Sequence, residues 1–254
     1  MSEDHKHRAR IFLHRGDLIQ ARTAWEAAVA DDRGAGHQQR LSDSLGNLGN
    51  TCALMNDLLH AEQCYREVLQ IQRTEGNLTA VAHTLVNLGN LHIASDHSAR
   101  ARPYYLEALD LLHQLEDNRG LGILYTNLAL QESRASQWDQ AVASFKQALD
   151  HHRTIGNEEG LAVTYSQLGK CYLDQGDLLG AERCLNNASE HYIKLGNEPA
   201  EAAVLRYLAQ VYEARRDRTS ALRCLDRVLS LDQRYALPEL QTDLHHHAKL
   251  KHAE

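Results

Sequence analysis

Asn47, Asn87, Asn127 and Gln167 stand 40 residues apart, and Asn50, Asn90 and Gln210 share a second position on the same step, one helical turn later. A carboxamide both donates and accepts hydrogen bonds. A ladder of them can therefore grip the backbone of an extended peptide without reading its side chains. Asn has poor helix propensity, so its recurrence inside a helical pattern needs a reason beyond helix formation. Hydrogen bonding between neighbouring repeats is the other reason the spacing allows. Arg134, Lys170 and Arg206 fall in three successive repeats, each four positions earlier in its repeat than the last. An oblique basic streak of this kind suits an acidic peptide or a C-terminal carboxylate. Ordinary pairing with Asp174 or Glu213 is the alternative.

Other chemistry is harder to build from these residues. No phosphate-binding glycine loop, zinc-protease helix or nucleophile elbow string is present. His245-His246-His247 and His151-His152 are adjacent rather than spaced i, i+4, so one helix face cannot present them together as metal ligands. Cys64, Cys184 and Cys224 share one repeat position. Equivalent atoms of stacked repeats lie about 8–10 Å apart or more, beyond disulfide reach. No catalytic residue, cofactor or metal is expected.

The net charge of −7 argues against a general nucleic-acid or anionic-membrane binder. Hydrophobic residues at 43% supply a core, and only 3 prolines leave too few breaks for a β-sandwich. The charged N-terminus has no apolar segment behind it, and no uninterrupted apolar run is long enough to span a bilayer. Five scattered cysteines without a C-x-x-C fit reduced thiols, so a cytoplasmic location is expected.

The elements that must position these side chains follow from the same period. Leu48-Gly49, Leu88-Gly89, Leu128-Ala129, Leu168-Gly169 and Leu208-Ala209 repeat at 40 residues, as do Ala21, Ala61, Ala101, Ala141, Ala181 and Ala221. Trp25, Tyr65, Tyr105, Phe145, Leu185 and Leu225 form a third ladder, and Ala28, Val68, Ala108, Ala148, Ala188 and Val228 a fourth. Within one unit, Leu41, Leu45, Leu48, Cys52 and Met55 make one helical stripe. Leu58, Ala61, Cys64, Tyr65, Val68 and Leu69 make a second, after a break at Asn56-Asp57. Equivalent breaks fall at Gly16-Asp17, Ser95-Asp96, Ser136-Gln137, Gly176-Asp177 and Arg216-Asp217. The small residues let helix A approach helix B, and the aromatic four residues on fills the gap between them. A lone pair cannot bury both stripes, so neighbours must stack.

These ladders resemble the tetratricopeptide repeat family over roughly residues 5–234. The 40-residue step and the Asn-Leu-Gly-Asn strings are similar to the longer-helix repeats of kinesin light chains and of the Leu-Gly-Asn spindle-orientation adaptors. The resemblance implies an all-α, right-handed superhelical solenoid of about six helix-turn-helix pairs plus a C-terminal capping helix. Its parts are an atypical first repeat at 1–35, regular repeats at 36–76, 77–117, 118–156, 157–197 and 198–235, and the capping helix at 236–254. His5 and Arg8 replace the usual apolar residues, so the first helix is expected to be frayed or capping. In the last helix, Leu237, Leu240, Leu244 and Ala248 are expected to pack on the final repeat, with His245, His246, His247, Lys249 and Lys251 facing water. Pro103 should kink its helix or delay the start.

In this family the inner wall of A helices binds extended peptides or partner helices. By register, that wall carries Asn47, Asn50, Asn87, Asn90, Asn127, Arg134, Gln167, Lys170, Arg206 and Gln210, with apolar anchors at Leu54, Ile93, Ile123 and Leu130. Asn50 and Asn87 match the amide pair of the carboxylate-clamp repeats, but Gly46, Ile123 and Asn127 stand where that clamp has basic residues. The expectation is a non-catalytic adaptor for a protein or peptide ligand, with an acidic ligand suited to the basic streak. Amide contacts worth about 1 kcal/mol each, plus apolar anchors, point to roughly micromolar binding. A self-assembling scaffold and a peptide-sensing regulator are the alternatives. The chain is expected to be a monomer or a weak homo-oligomer.

Overall fold

The computed structural model describes residues 1–95 and 98–252; Asp96 of the third-repeat break and the last two residues of the 236–254 segment lie outside the described residues. Among the described residues there are thirteen α-helices and no strand. They are α1 (Ser2–His14), α2 (Leu18–Gly34), α3 (Gln38–Leu54), α4 (Leu58–Glu75), α5 (Leu78–Ala94), α6 (Ser98–Gln114) and α7 (Asn118–Arg134). α8 (Trp138–Thr154), α9 (Glu158–Gln175), α10 (Leu178–Leu195), α11 (Glu198–Ala214), α12 (Arg218–Tyr235) and α13 (Leu240–His252) follow. The fold is an all-α repeat solenoid. It divides into two compact units, Met1–Gly120 and Leu121–Glu254.

The helix boundaries keep a period of 20. A residue with positive φ ends one helix, and the next residue caps the following one. Gly76 takes φ +69 before Asn77, and Asn56 takes φ +60 before Asp57. Asp17, Asp57, Asn77, Asn157, Asp177, Asn197 and Asp217 each accept from the backbone N–H three residues on. Such a cap is worth about 1 kcal/mol. The helices are therefore cut to length locally, before any packing.

Packing then follows the ladders. Ala21, Ala61, Ala101, Ala141, Ala181 and Ala221 are fully buried, as are the bulky residues four positions on. The small residue of helix A faces that bulk directly. A Cβ built on Gly89 would meet Tyr105 Cε1 at 2.3 Å, so only glycine fits without movement. In the second unit Ala129, Ala141, Phe145, Leu149, Leu161 and Leu168 share one cluster with Cys171 and Cys184. Ala162, Ala181, Leu185, Ala188, Val204, Leu208 and Val211 share another.

Three local expectations need correction. α1 is not frayed: Ala9 is fully buried at the register of Gly49, and Lys6 is buried against the carboxylate of Asp32 at 3.2 Å. α6 begins at Ser98 and runs through Pro103, so of the two effects expected of the proline the delayed start does not occur. α13 docks by its polar face. Asp243 is its buried residue, His246 lies 2.8 Å from the Glu213 carboxylate and His247 bonds Asp226. Leu237 and Leu240 are half-buried and His245, Lys249 and Lys251 exposed as expected, whereas Leu244 is 39% exposed and Ala248 is exposed. The reason lies in the receiving surface, where α11 and α12 present Arg206, Glu213, Asp226 and Asp232.

Candidate functional site

The first unit holds a pocket of about 420 Å³ lined by Asn50, Ala53 and Leu54 of α3, Leu58 and Tyr65 of α4, and Asn87, Asn90, Leu91 and Ala94 of α5. Three of the expected amides therefore meet around one apolar hollow. Leu54 stands 68% exposed at its mouth. No Lys, Arg, Asp or Glu is among the described residues that line it.

Two of these amides have a partner that the sequence expectation did not include. The Tyr65 hydroxyl donates to Asn50 Oδ1 at 2.6 Å, and the Tyr105 hydroxyl donates to Asn90 Oδ1 at 2.6 Å. Both bonds lie within a repeat, not between repeats. Burial pushes the Tyr65 phenol up to about 12, so it remains a donor across the physiological range. A signal for this pairing exists in the sequence. Asn occurs where the residue 15 positions on is Tyr, whereas Leu130 precedes Phe145, Lys170 precedes Leu185 and Gln210 precedes Leu225. Asn47 is different again, since its amide donates to the Asp43 backbone carbonyl of its own helix at 2.8 Å.

In the second unit, Asn127 and Gln167 are half-buried, whereas Arg134, Lys170 and Gln210 are exposed. Ile123 is 46% exposed and Leu130 half-buried. Arg206 is committed elsewhere. Its Nε bonds Asp243 Oδ2 at 2.7 Å and its Nη2 bonds Asp232 Oδ1 at 2.5 Å, with Glu239 at 3.8 Å. Burial would lower its pKa, but the two carboxylates raise it above the usual value. Asp232 is fully buried, and among the described residues its second oxygen has no hydrogen-bond partner. Burial and the neighbouring Asp243 carboxylate hold its carboxyl above the usual range, against the pull of Arg206.

The same two repeat positions carry a buried ion pair in the first repeat, where Lys6 and Asp32 stand 200 residues before Arg206 and Asp232. Asp32 accepts from Ser2 and Ser44, each at 2.7 Å. Burial alone would raise its pKa, but Ser44, Ser2 and Lys6 bring it below the usual range. Four further residues form a polar cluster in the second unit. Tyr165 stacks on His191 at 5.7 Å and accepts from Arg153 at 2.6 Å, while Glu158 bonds His191 at 2.6 Å. One repeat earlier, Tyr125 stacks on His151 at 5.6 Å. Among the described residues no group of three His, Cys, Asp or Glu is placed to hold a metal ion, and no helix is long and apolar enough to cross a membrane.

Profiles of the tetratricopeptide repeat match residues 42–75, 78–154, 118–186 and 160–234. No curated protein matches the chain. Among solved structures, the chain is similar to BtubC (BKLC) from P. vanneervenii, at 19% identity and a TM-score of 0.76, over 86% of this chain and 92% of that one. It is also similar to a signal transduction ATPase with numerous domains carrying a tetratricopeptide repeat sensor, from Pyrococcus horikoshii. That match has 14% identity and a TM-score of 0.77 over 97% of this chain, and spans 38% of the larger protein. A Rap protein complexed with competence and sporulation factor matches at 12% identity and a TM-score of 0.71, over 97% of this chain and 74% of that one.

Proposed function

The chain belongs to the tetratricopeptide repeat family, and on that premise we propose that it is a non-catalytic scaffold that holds an extended peptide or a helix of a partner protein against its A helices. The family is generally a non-catalytic interaction module. The observation that carries the finer proposal is the first-unit hollow, where Asn50, Asn87 and Asn90 surround an apolar floor. Polar groups at the rim orient a ligand, and the apolar floor supplies the burial that amides alone do not. The Rap structure in complex with a factor adds an example of the fold with a ligand bound.

The charge preference is narrower than the sequence pattern suggests. An acidic stretch of ligand would meet Arg134 and Lys170, both exposed, and not Arg206, whose guanidinium is already bonded twice. Binding of roughly micromolar strength is expected, because several net hydrogen bonds of about 1 kcal/mol each must also offset the ordering of a flexible ligand. All five cysteines are free thiols, which supports a cytoplasmic setting.

The test is capture of a partner by the purified chain, run beside Asn87→Ala/Asn90→Ala. Loss of the partner with the variant, at unchanged helix content, supports groove recognition. Retention by both moves the binding site to another surface and leaves the amides a structural role.

A further inference from the structure

Asn50 and Asn90 are not free to turn. Each has its Oδ1 fixed by a tyrosine hydroxyl at 2.6 Å, from Tyr65 and Tyr105 respectively. The tyrosine bond fixes which end of each carboxamide faces the ring, so the NH2 is held on the opposite side, while the oxygen keeps one lone pair. The pocket these two residues share with Asn87 is otherwise lined by Ala53, Leu54, Leu58, Leu91 and Ala94, with Tyr65. Among the described residues its lining includes neither a cation to hold a carboxylate or phosphate nor a carboxylate to hold a lysine or arginine. Its volume of about 420 Å³ lies within the roughly 300–1,000 Å³ range of ligand pockets, room for an inserted side chain and the backbone beside it.

We propose that this pocket selects an uncharged peptide segment, with one aliphatic side chain in the hollow and its neighbouring backbone carbonyls accepting from Asn50 and Asn90, and that Tyr65 and Tyr105 are the positioning residues that turn those amides donor-outward. The inference rests on the peptide-binding function proposed above and specifies its ligand. The segment over this pocket carries no charge. Register explains why the device is confined to two repeats. Phe145, Leu185 and Leu225 replace the tyrosines further along, and no Asn stands opposite them. Phe145 is fully buried at that position, so a phenyl ring fits the site without a hydroxyl.

The probe is a phage-displayed library of random peptides panned on the full chain, on Tyr65→Phe/Tyr105→Phe and on Leu54→Glu. The native chain is expected to select peptides with an aliphatic residue in an uncharged setting. The double Phe variant should keep its helix content and melt only a few degrees lower, yet bind the selected peptides about tenfold more weakly at a temperature where it is fully folded. Leu54 is exposed, so Leu54→Glu should fold normally and lose the uncharged peptides. Replacing the flanking N–H groups of a selected peptide by ester oxygens removes its donors and keeps its carbonyls, and should leave its affinity nearly unchanged. Selection of acidic peptides, indifference to the Phe changes in a folded chain, or loss of binding on ester substitution would overturn the proposal. If the selected peptides are still lost with Asn87→Ala/Asn90→Ala, the groove function survives that outcome. If no peptide binds the native chain, the groove function fails and this inference fails with it.

Discussion

Asp32 and Asp232 occupy one repeat position and titrate in opposite directions. Asp32 has two serine hydroxyls and the Lys6 ammonium around it, and its pKa is lowered. Its stabilising effect is present above the ordinary aspartate range and is lost as pH falls through the lowered folded value. Asp32→Asn should therefore destabilise the chain at pH 7 by about 3 kcal/mol, as removal of one partner of a buried pair does. The difference from the native protein should close in acid. Asp232 shares Arg206 with a second carboxylate, and its pKa is raised. Its favourable contribution is present in acid and lost as pH rises through the raised folded value. Asp232→Asn should melt progressively higher than the native chain as pH rises from 4 to 7.5. Thermal melts of both variants across that span decide the matter; parallel profiles would show that the serine bonds and the paired carboxylates do not set these titrations.

At the scale of the element, close approach of helices A and B depends on what the small residue faces. Gly89 lies against the Tyr105 ring, whereas a Cβ on Gly46 would meet nothing within 4 Å. Gly89→Ala should cost about 1–3 kcal/mol through overpacking. Gly46→Ala should add about 0.5–1 kcal/mol, because it removes backbone freedom from a helix interior. Urea denaturation of the pair measures both, and equal effects would show that the tyrosine moves aside without cost. The docking of α13 is an element-scale property of another kind. Asp243, His246 and His247 hold it through charged partners, and the Arg218 guanidinium donates to the Lys251 carbonyl. Salt at about 1 M shortens the screening length to roughly 3 Å. Hydrogen exchange over Leu240–His252 should rise under that condition while Arg218–Tyr235 stays protected. Unchanged protection would mean that Leu240 and Leu250, both half-buried, hold the helix instead.

For the whole molecule, stacked repeats make stability a sum of neighbour terms rather than one shared core. The division into Met1–Gly120 and Leu121–Glu254 sharpens that expectation. Faster hydrogen exchange in Gly89→Ala should be concentrated in α3 to α6 and fade towards α10 to α12. A uniform rise across all helices would instead describe a single cooperative unit. A ligand held in the first-unit pocket should show the same locality, protecting α3 and α5 before it alters the second unit.

The period of the fold was legible in the residues themselves. A short-range code of turn residue and N-cap, as in Gly76-Asn77 and Gly176-Asp177, closes each helix within a few bonds. Ladders such as Ala61 with Tyr65 make one helix face the next. Both depend on spacing along the chain, which a sequence displays directly. Partner choice among polar side chains was not legible, because it depends on which groups remain unsatisfied once helices pack. Arg206 looked like a ligand contact until Asp232 and Asp243 were seen to bracket it, and Asn50 and Asn90 looked free to grip until their tyrosines were found. The polar docking face of α13 was decided the same way, by the charges of α11 and α12 that a single helix pattern cannot contain. Sequence by itself determined the repeat, its helices and its buried ladders, since these obey local periodicity; tertiary structure alone decided which polar groups are committed inside the fold and which stay exposed.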